Sequence, residues 1–107
     1  MTLQDRTAHI ERLFADCHGI LAKKGADYSG KADALSNFKR NAERLGLTKY
    51  QVWSVYTAKH FDSIMNAIKA SPEYPQVESE PIEERIKDLI NYGAILACMI
   101  IEDNQTK

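Results

Sequence analysis

Apolar residues return every three or four positions through four separate stretches of this chain, and no stretch alternates convincingly with period two. Such spacing lines side chains along one side of a helix. An all-α fold is therefore predicted: a compact bundle of four helices, three long and one short. With 107 residues there is room for one domain, 1–107, and little more.

The first stretch sets Ile10, Leu13, Phe14, Cys17, Ile20 and Leu21 on one side of a helix over about 3–24. Thr2 and Asp5 form its start, and Gly25 is a natural stop. From Gly25 to Ser36 the run GADYSGKADALS is rich in glycine, aspartate and serine and predicts a loop. A short helix over about 37–45 follows, burying Phe38, Ala42 and Leu45 and ending at Gly46. Thr48 and Gln51 have capping-box spacing, and Trp53, Thr57, Phe61, Ile64 and Ile68 then recur up to the Ser71-Pro72 break. Pro72 and Pro75 make a connection to Ser79, and Pro81 suits the first turn of the last helix. That helix is read as turning Ile82, Ile86, Leu89, Ile90, Gly93, Ala97 and Ile100 inward.

Its end, GAILACMII, is apolar around the whole circumference. Either a second copy covers it or the neighbouring helices of the same chain do, and the pattern supports the two equally.

Composition narrows the function classes. Hydrophobic residues at 44% and charged residues at 27% exclude a disordered or low-complexity chain. A net charge of -1 lacks the basic excess of a protein that coats nucleic acid, so DNA is not an expected partner. Two cysteines, Cys17 and Cys98, make neither a disulfide framework nor a structural zinc site. The charged N-terminus lacks a signal-peptide core, and the longest apolar run, Gly93 to Ile101, is too short for a bilayer. A cytoplasmic protein with no membrane partner is expected.

Acceptor side chains recur on the last helix. Glu80, Glu84, Asp88 and Asn91 are four, four and three residues apart and share the face opposite the apolar stripe. A row of this kind suits a magnesium ion, which takes oxygen ligands and leaves positions open for phosphates, but spacing alone favours a solvated acidic face near a helix N-terminus, since surface acids of this kind are common. The third helix carries Lys59, Asp62 and Asn66 on a polar strip, so antiparallel packing would set Asp62 opposite those acids and Lys59 against a phosphate. His60, with no second His or Cys at ligand spacing, reads as a satisfied, partly buried histidine.

The segment from Lys23 to Lys31 combines cations, glycine amides and Tyr28, a set that can hold phosphate and stack a base or simply form a surface turn. It nearly spells a P-loop, but Ala32 stands where Ser or Thr must bind magnesium and a helix precedes it instead of a strand. Lys39, Arg40 and Arg44 either face a phosphate or pair with Glu43 and its neighbours. A faint helix-turn-helix pattern in LGLTKYQVWSVYTAKH is weakened by its balanced charge. No Gly-x-Ser-x-Gly elbow, oriented Cys-His pair or HExxH motif supports covalent or zinc chemistry.

The runs KKGADYSG, NFKRNAERLGLT, VWSVYTAKHFDSIMNAIK and EPIEERIKDLINYGAIL, from about Lys23 to Leu96, resemble the phage and bacterial family called nucleotide modification associated domain 1. That family looks distantly like the MazG-type all-α nucleotide pyrophosphohydrolases. The resemblance is carried by Asp27-Tyr28, Asn37-Phe38, Lys59 with Asp62, and Glu84-x-x-x-Asp88-x-x-Asn91-Tyr92. It implies a MazG-like oligomeric bundle that binds a phosphate-bearing nucleotide between the third and fourth helices. Magnesium would be held by Asp62, Glu84 and Asp88, with Glu80 or Glu84 acting on the attacking water. Lys24, Asp27, Tyr28, Asn37, Arg40, Lys59 and Asn91 would bind the ligand. Lys59 stands where a second carboxylate of the first metal pair belongs, so three functions are carried forward: a magnesium-dependent hydrolase, a phage-type sponge that holds a nucleotide immune signal uncleaved, and a helical interaction module.

Overall fold

The computed structural model describes residues 1–106. Four α-helices follow in order, α1 (Leu3–Ser29), α2 (Ser36–Leu45), α3 (Lys49–Ala70) and α4 (Ile82–Gln105), with no strand among the described residues. The all-helical class and the helix count agree with the sequence.

Local chemistry sets most boundaries. Thr2 and Asp5 close a reciprocal capping box on α1, and Thr48 and Gln51 do the same on α3. The α2 C-terminus turns at Gly46, whose φ of 65° lies in the left-handed region, and the Leu47 amide donates to the Ala42 carbonyl at 2.9 Å in a six-to-one closure. Two boundaries differ from expectation. Gly25 does not stop α1, which runs on to Ser29 with Gly30 as its C-cap. One glycine weakens a helix by about 1 kcal/mol, less than the contacts made by the following turn can return. Pro81 precedes α4 as its N-cap instead of entering its first turn.

The core lies among α2, α3 and α4. Leu35, Phe38, Ala42, Val52 and Met99 are buried together, and Trp53, Tyr56, Tyr92 and Ile95 pack around them. Phe38 meets Tyr56 at 5.8 Å between ring centroids and Tyr92 edge-on at 6.4 Å. Antiparallel α3 and α4 are joined by polar anchors at intervals. Trp53 Nε1 donates to the Tyr92 carbonyl at 2.7 Å, Lys49 Nζ reaches Asp103 at 2.6 Å, and the Tyr50 hydroxyl donates to the same carboxylate.

These anchors rotate α4 away from the orientation its hydropathy predicts. Asn91 and Met99 are buried, whereas Ile86, Gly93, Ala97 and Ile100, expected inside, are exposed. Phe61 and Ile68 on α3, Leu45 on α2, and Ile10 and Phe14 on α1 are likewise exposed. On α1 only Cys17 is buried, its thiol against the Lys87 carbonyl at 3.9 Å. In the N-terminal half of α1 the apolar residues Leu3, Ile10 and Phe14 are exposed. The radius of gyration, 15.9 Å, accordingly exceeds the ~13 Å usual for this length. No helix among the described residues is long and apolar enough to cross a membrane.

Candidate ligand-binding cavity

A cavity of about 920 Å³ opens between the C-terminal half of α1, the turn leading into α2, and the inner face of α4, with Lys59 and His60 of α3 at one end. The expected cleft between α3 and α4 does not exist, because those two helices pack directly against each other through Trp53 and Tyr92. The space lies beside that contact, where Asp88, Asn91 and Ile95 of α4 face the end of α1.

Continuation of α1 through Gly25 makes one wall. Lys24 and Tyr28, one turn apart, both line the cavity, and Lys31 follows in the turn. This wall is tied to α2. Ser29 Oγ donates to Asn37 Oδ1 at 2.6 Å and accepts from the Asn37 amide at 3.3 Å, while Ser36 Oγ donates to the Ser29 carbonyl at 2.9 Å. Arg40 donates to the Tyr28 carbonyl at 3.0 Å and to Ser36 Oγ at 3.1 Å. Arg40 lies outside the cavity lining and holds the backbone of a residue that does line it.

The opposite wall carries the polar chemistry. Asp88, Asn91 and Tyr92 of α4 line the cavity beside His60. The His60 and Tyr92 rings lie 5.2 Å apart at 34°. His60 Nδ1 stands 3.6 Å from Asp88 Oδ2, too far for a hydrogen bond, and is buried with no other partner. Burial pushes the imidazole pKa down, outweighing the attraction of Asp88 for its charged form, so the ring is neutral near pH 7. Burial, reinforced by Asp88, pushes the Tyr92 phenol up and keeps it a protonated donor. Lys24 Nζ reaches Asp88 at 3.8 Å from an exposed side chain.

Of the residues singled out in the sequence, Lys24, Tyr28, Asn37, Lys59, Asp88 and Asn91 meet at this cavity; Asp27, Arg40, Asp62, Glu80 and Glu84 do not line it. The expected magnesium ligands are not gathered. Among the described residues no three His, Cys, Asp or Glu side chains stand close enough to hold one ion. Helix geometry accounts for this. His60 faces Asp88, and Asp62, two residues further at about 100° each, turns to solvent. Glu84 pairs with Lys87 Nζ at 3.3 Å and Glu80 with Arg85 Nε at 3.0 Å, so neither of the expected catalytic carboxylates stands free at the cavity.

In the sequence His60 reads as a satisfied histidine and not as a ligand contact. Burial is as expected, but Nδ1 lacks its partner. The antiparallel register that sets Lys49 and Tyr50 against Asp103 also brings His60 to Asp88, and that register was the signal available.

Compared with models of known protein families, with curated protein sequences and with solved structures, the chain gives no match.

Proposed function

We propose that the protein binds a phosphate-bearing nucleotide in the cavity between α1, α2 and α4, and holds it without cleaving it. One observation carries the reading: two tyrosine rings, Tyr28 and Tyr92, share a single cavity with three lysines, Lys24, Lys31 and Lys59. Aromatic faces stack bases, and ammonium groups complement phosphates. A volume of about 920 Å³ lies at the upper end of the ~300–1,000 Å³ usual for small-molecule sites. The resemblance of the Asp27-Tyr28, Asn37-Phe38 and Asn91-Tyr92 motifs to a nucleotide-linked phage and bacterial family points the same way. Binding is favoured over magnesium-dependent hydrolysis because the carboxylates expected to hold the metal are paired with cations or turned to solvent. A sponge that sequesters a nucleotide signal in the cytosol needs only the walls of the cavity.

Calorimetric titration with nucleoside mono-, di- and triphosphates and with cyclic dinucleotides, each with and without magnesium, tests this. At least one ligand is expected to bind equally well in either condition and to be recovered intact after heat release. Lys24→Ala together with Tyr92→Leu should weaken that binding at least tenfold. Magnesium-dependent conversion of a triphosphate to monophosphate, lost in Asp88→Asn, would replace the sponge reading with the hydrolase.

A further inference from the structure

One polar cluster in the cavity is left incomplete by the chain itself. His60 and Asn91 are 7% and 8% exposed, and both line the cavity beside Asp88. Side chains buried to this degree ordinarily have hydrogen-bond partners. His60 Nδ1 has none, and Asp88 Oδ2 stands 3.6 Å from it. The other carboxylate oxygen, Oδ1, faces Lys24 Nζ at 3.8 Å, again beyond a hydrogen bond. Both oxygens therefore keep lone pairs for a donor from outside the chain.

The imidazole lies against the Tyr92 ring at 5.2 Å, which fixes its orientation. It is neutral, so with its proton on Nε2 the Nδ1 atom is an acceptor. Two acceptors 3.6 Å apart repel each other until a donor enters between them, and one nitrogen can stand about 2.9 Å from both. An amino group with two hydrogens meets that demand. A second N–H beside it would reach Asp88 Oδ1. Asn91, three residues on and on the same face of α4, would donate its amide to an acceptor next in line.

Hydrogen-bond arithmetic then selects one base. The required edge reads amine, N–H, carbonyl, and guanine presents it as N2, N1 and O6. Adenine and cytosine carry an amine, but the ring atom beside it is a bare acceptor that would face a carboxylate oxygen. Uracil and thymine carry no amine. The carboxylate also repels phosphate, which leaves the phosphate to the α1 side of the cavity, where Lys31 follows Tyr28. Resting on the nucleotide-binding reading above, we infer that Asp88, His60 and Asn91 form a base-reading subsite that selects guanine.

Calorimetric titration of the full chain with the mono- and triphosphates of guanosine, inosine, adenosine, cytidine and uridine tests it. A guanosine nucleotide is expected to bind about tenfold or more tightly than its adenosine, cytidine and uridine counterparts, with inosine, which lacks only the N2 amine, in between. Asp88→Asn is close to isosteric; it should lose the guanosine nucleotide and prefer the xanthosine one, whose C2 carbonyl accepts from the introduced amide. His60→Phe should narrow the gap between guanosine and inosine. The base series on wild type needs no substitution and decides alone if either variant unfolds. If another base binds as tightly as guanine, or if Asp88→Asn weakens every base alike, the guanine subsite is overturned while nucleotide binding stands. If none of these nucleotides binds, both are overturned.

Discussion

The two sides of α4 reverse the usual division between inside and outside. The side turned toward its own chain carries Asp88, Asn91, Tyr92, Met99, Glu102 and Asp103; the side left open carries Ile86, Gly93, Ala97 and Ile100. Glu102 and Asp103 reach the inner side because each finds a partner there. Glu102 pairs with Lys39 at 2.8 Å and Asp103 with Lys49 at 2.6 Å. Apolar area falls from water in any direction at similar gain, but an ion pair or a hydrogen bond has one geometry. Directional contacts therefore choose the rotation of the helix, and apolar contacts stabilise whichever rotation has been chosen.

Adjacent residues break that comparison most sharply. Met99 has no exposed surface and Ile100, its neighbour, is 47% exposed. Met99→Ala should lower unfolding free energy by about 2–5 kcal/mol in urea titrations, since it leaves a cavity among Phe38, Val52 and Leu35. Ile100→Ala should change a dilute sample by less than about 0.5 kcal/mol. Equal losses at the two positions would mean that the rotation of α4 is wrong.

Removing the directional contacts is expected to have a smaller effect. Trp53→Phe keeps the ring volume largely in place but deletes the 2.7 Å bond to the Tyr92 carbonyl, and should cost about 1 kcal/mol. Asp103→Asn weakens the partner of both Lys49 and Tyr50, in a partly exposed setting, and should cost about 1 kcal/mol or less. In the double variant these losses should add within about 0.5 kcal/mol, because the two anchors are separate. A much larger combined loss would indicate that α4 has turned its apolar stripe inward.

The sequence was informative where a signal is local. Thr2 with Asp5, Thr48 with Gln51, and Gly46 mark helix ends by bonds made within a few residues, and all three stand where expected. Phe38 and Ala42 are buried as their spacing required. What the sequence did not reveal is rotation. Ile86, Phe61 and Phe14 sit on well-formed periodic stripes, yet the stripe states only which residues share a side and leaves open whether its own chain covers that side. The cavity followed the same rule. Lys24, Tyr28, Asn37, Asp88 and Asn91 were legible as ligand-type residues, but their meeting between α1 and α4 depended on α1 continuing through Gly25, which its glycine argued against.

The smallest effect concerns the buried polar end of the cavity. His60 is neutral in the folded protein because burial holds its pKa below the ordinary 6.5. Unfolding returns it to that ordinary value, so between the two pKa values the unfolded chain binds more protons and stability falls as pH drops below about 6.5. His60→Gln cannot titrate, and its melting temperature should fall less than that of wild type between pH 7.5 and 5.5. Asp88→Asn sharpens the comparison in the opposite direction. The Asp88 carboxylate at 3.6 Å favours the imidazolium and limits the depression, so its loss should make the fall steeper than in wild type. Parallel melting curves for wild type, His60→Gln and Asp88→Asn across this range would remove His60 from the buried wall of the cavity. An ordering with Asp88→Asn steepest and His60→Gln shallowest requires the imidazole to be desolvated beside that carboxylate, which is the geometry that directs α4's polar side inward.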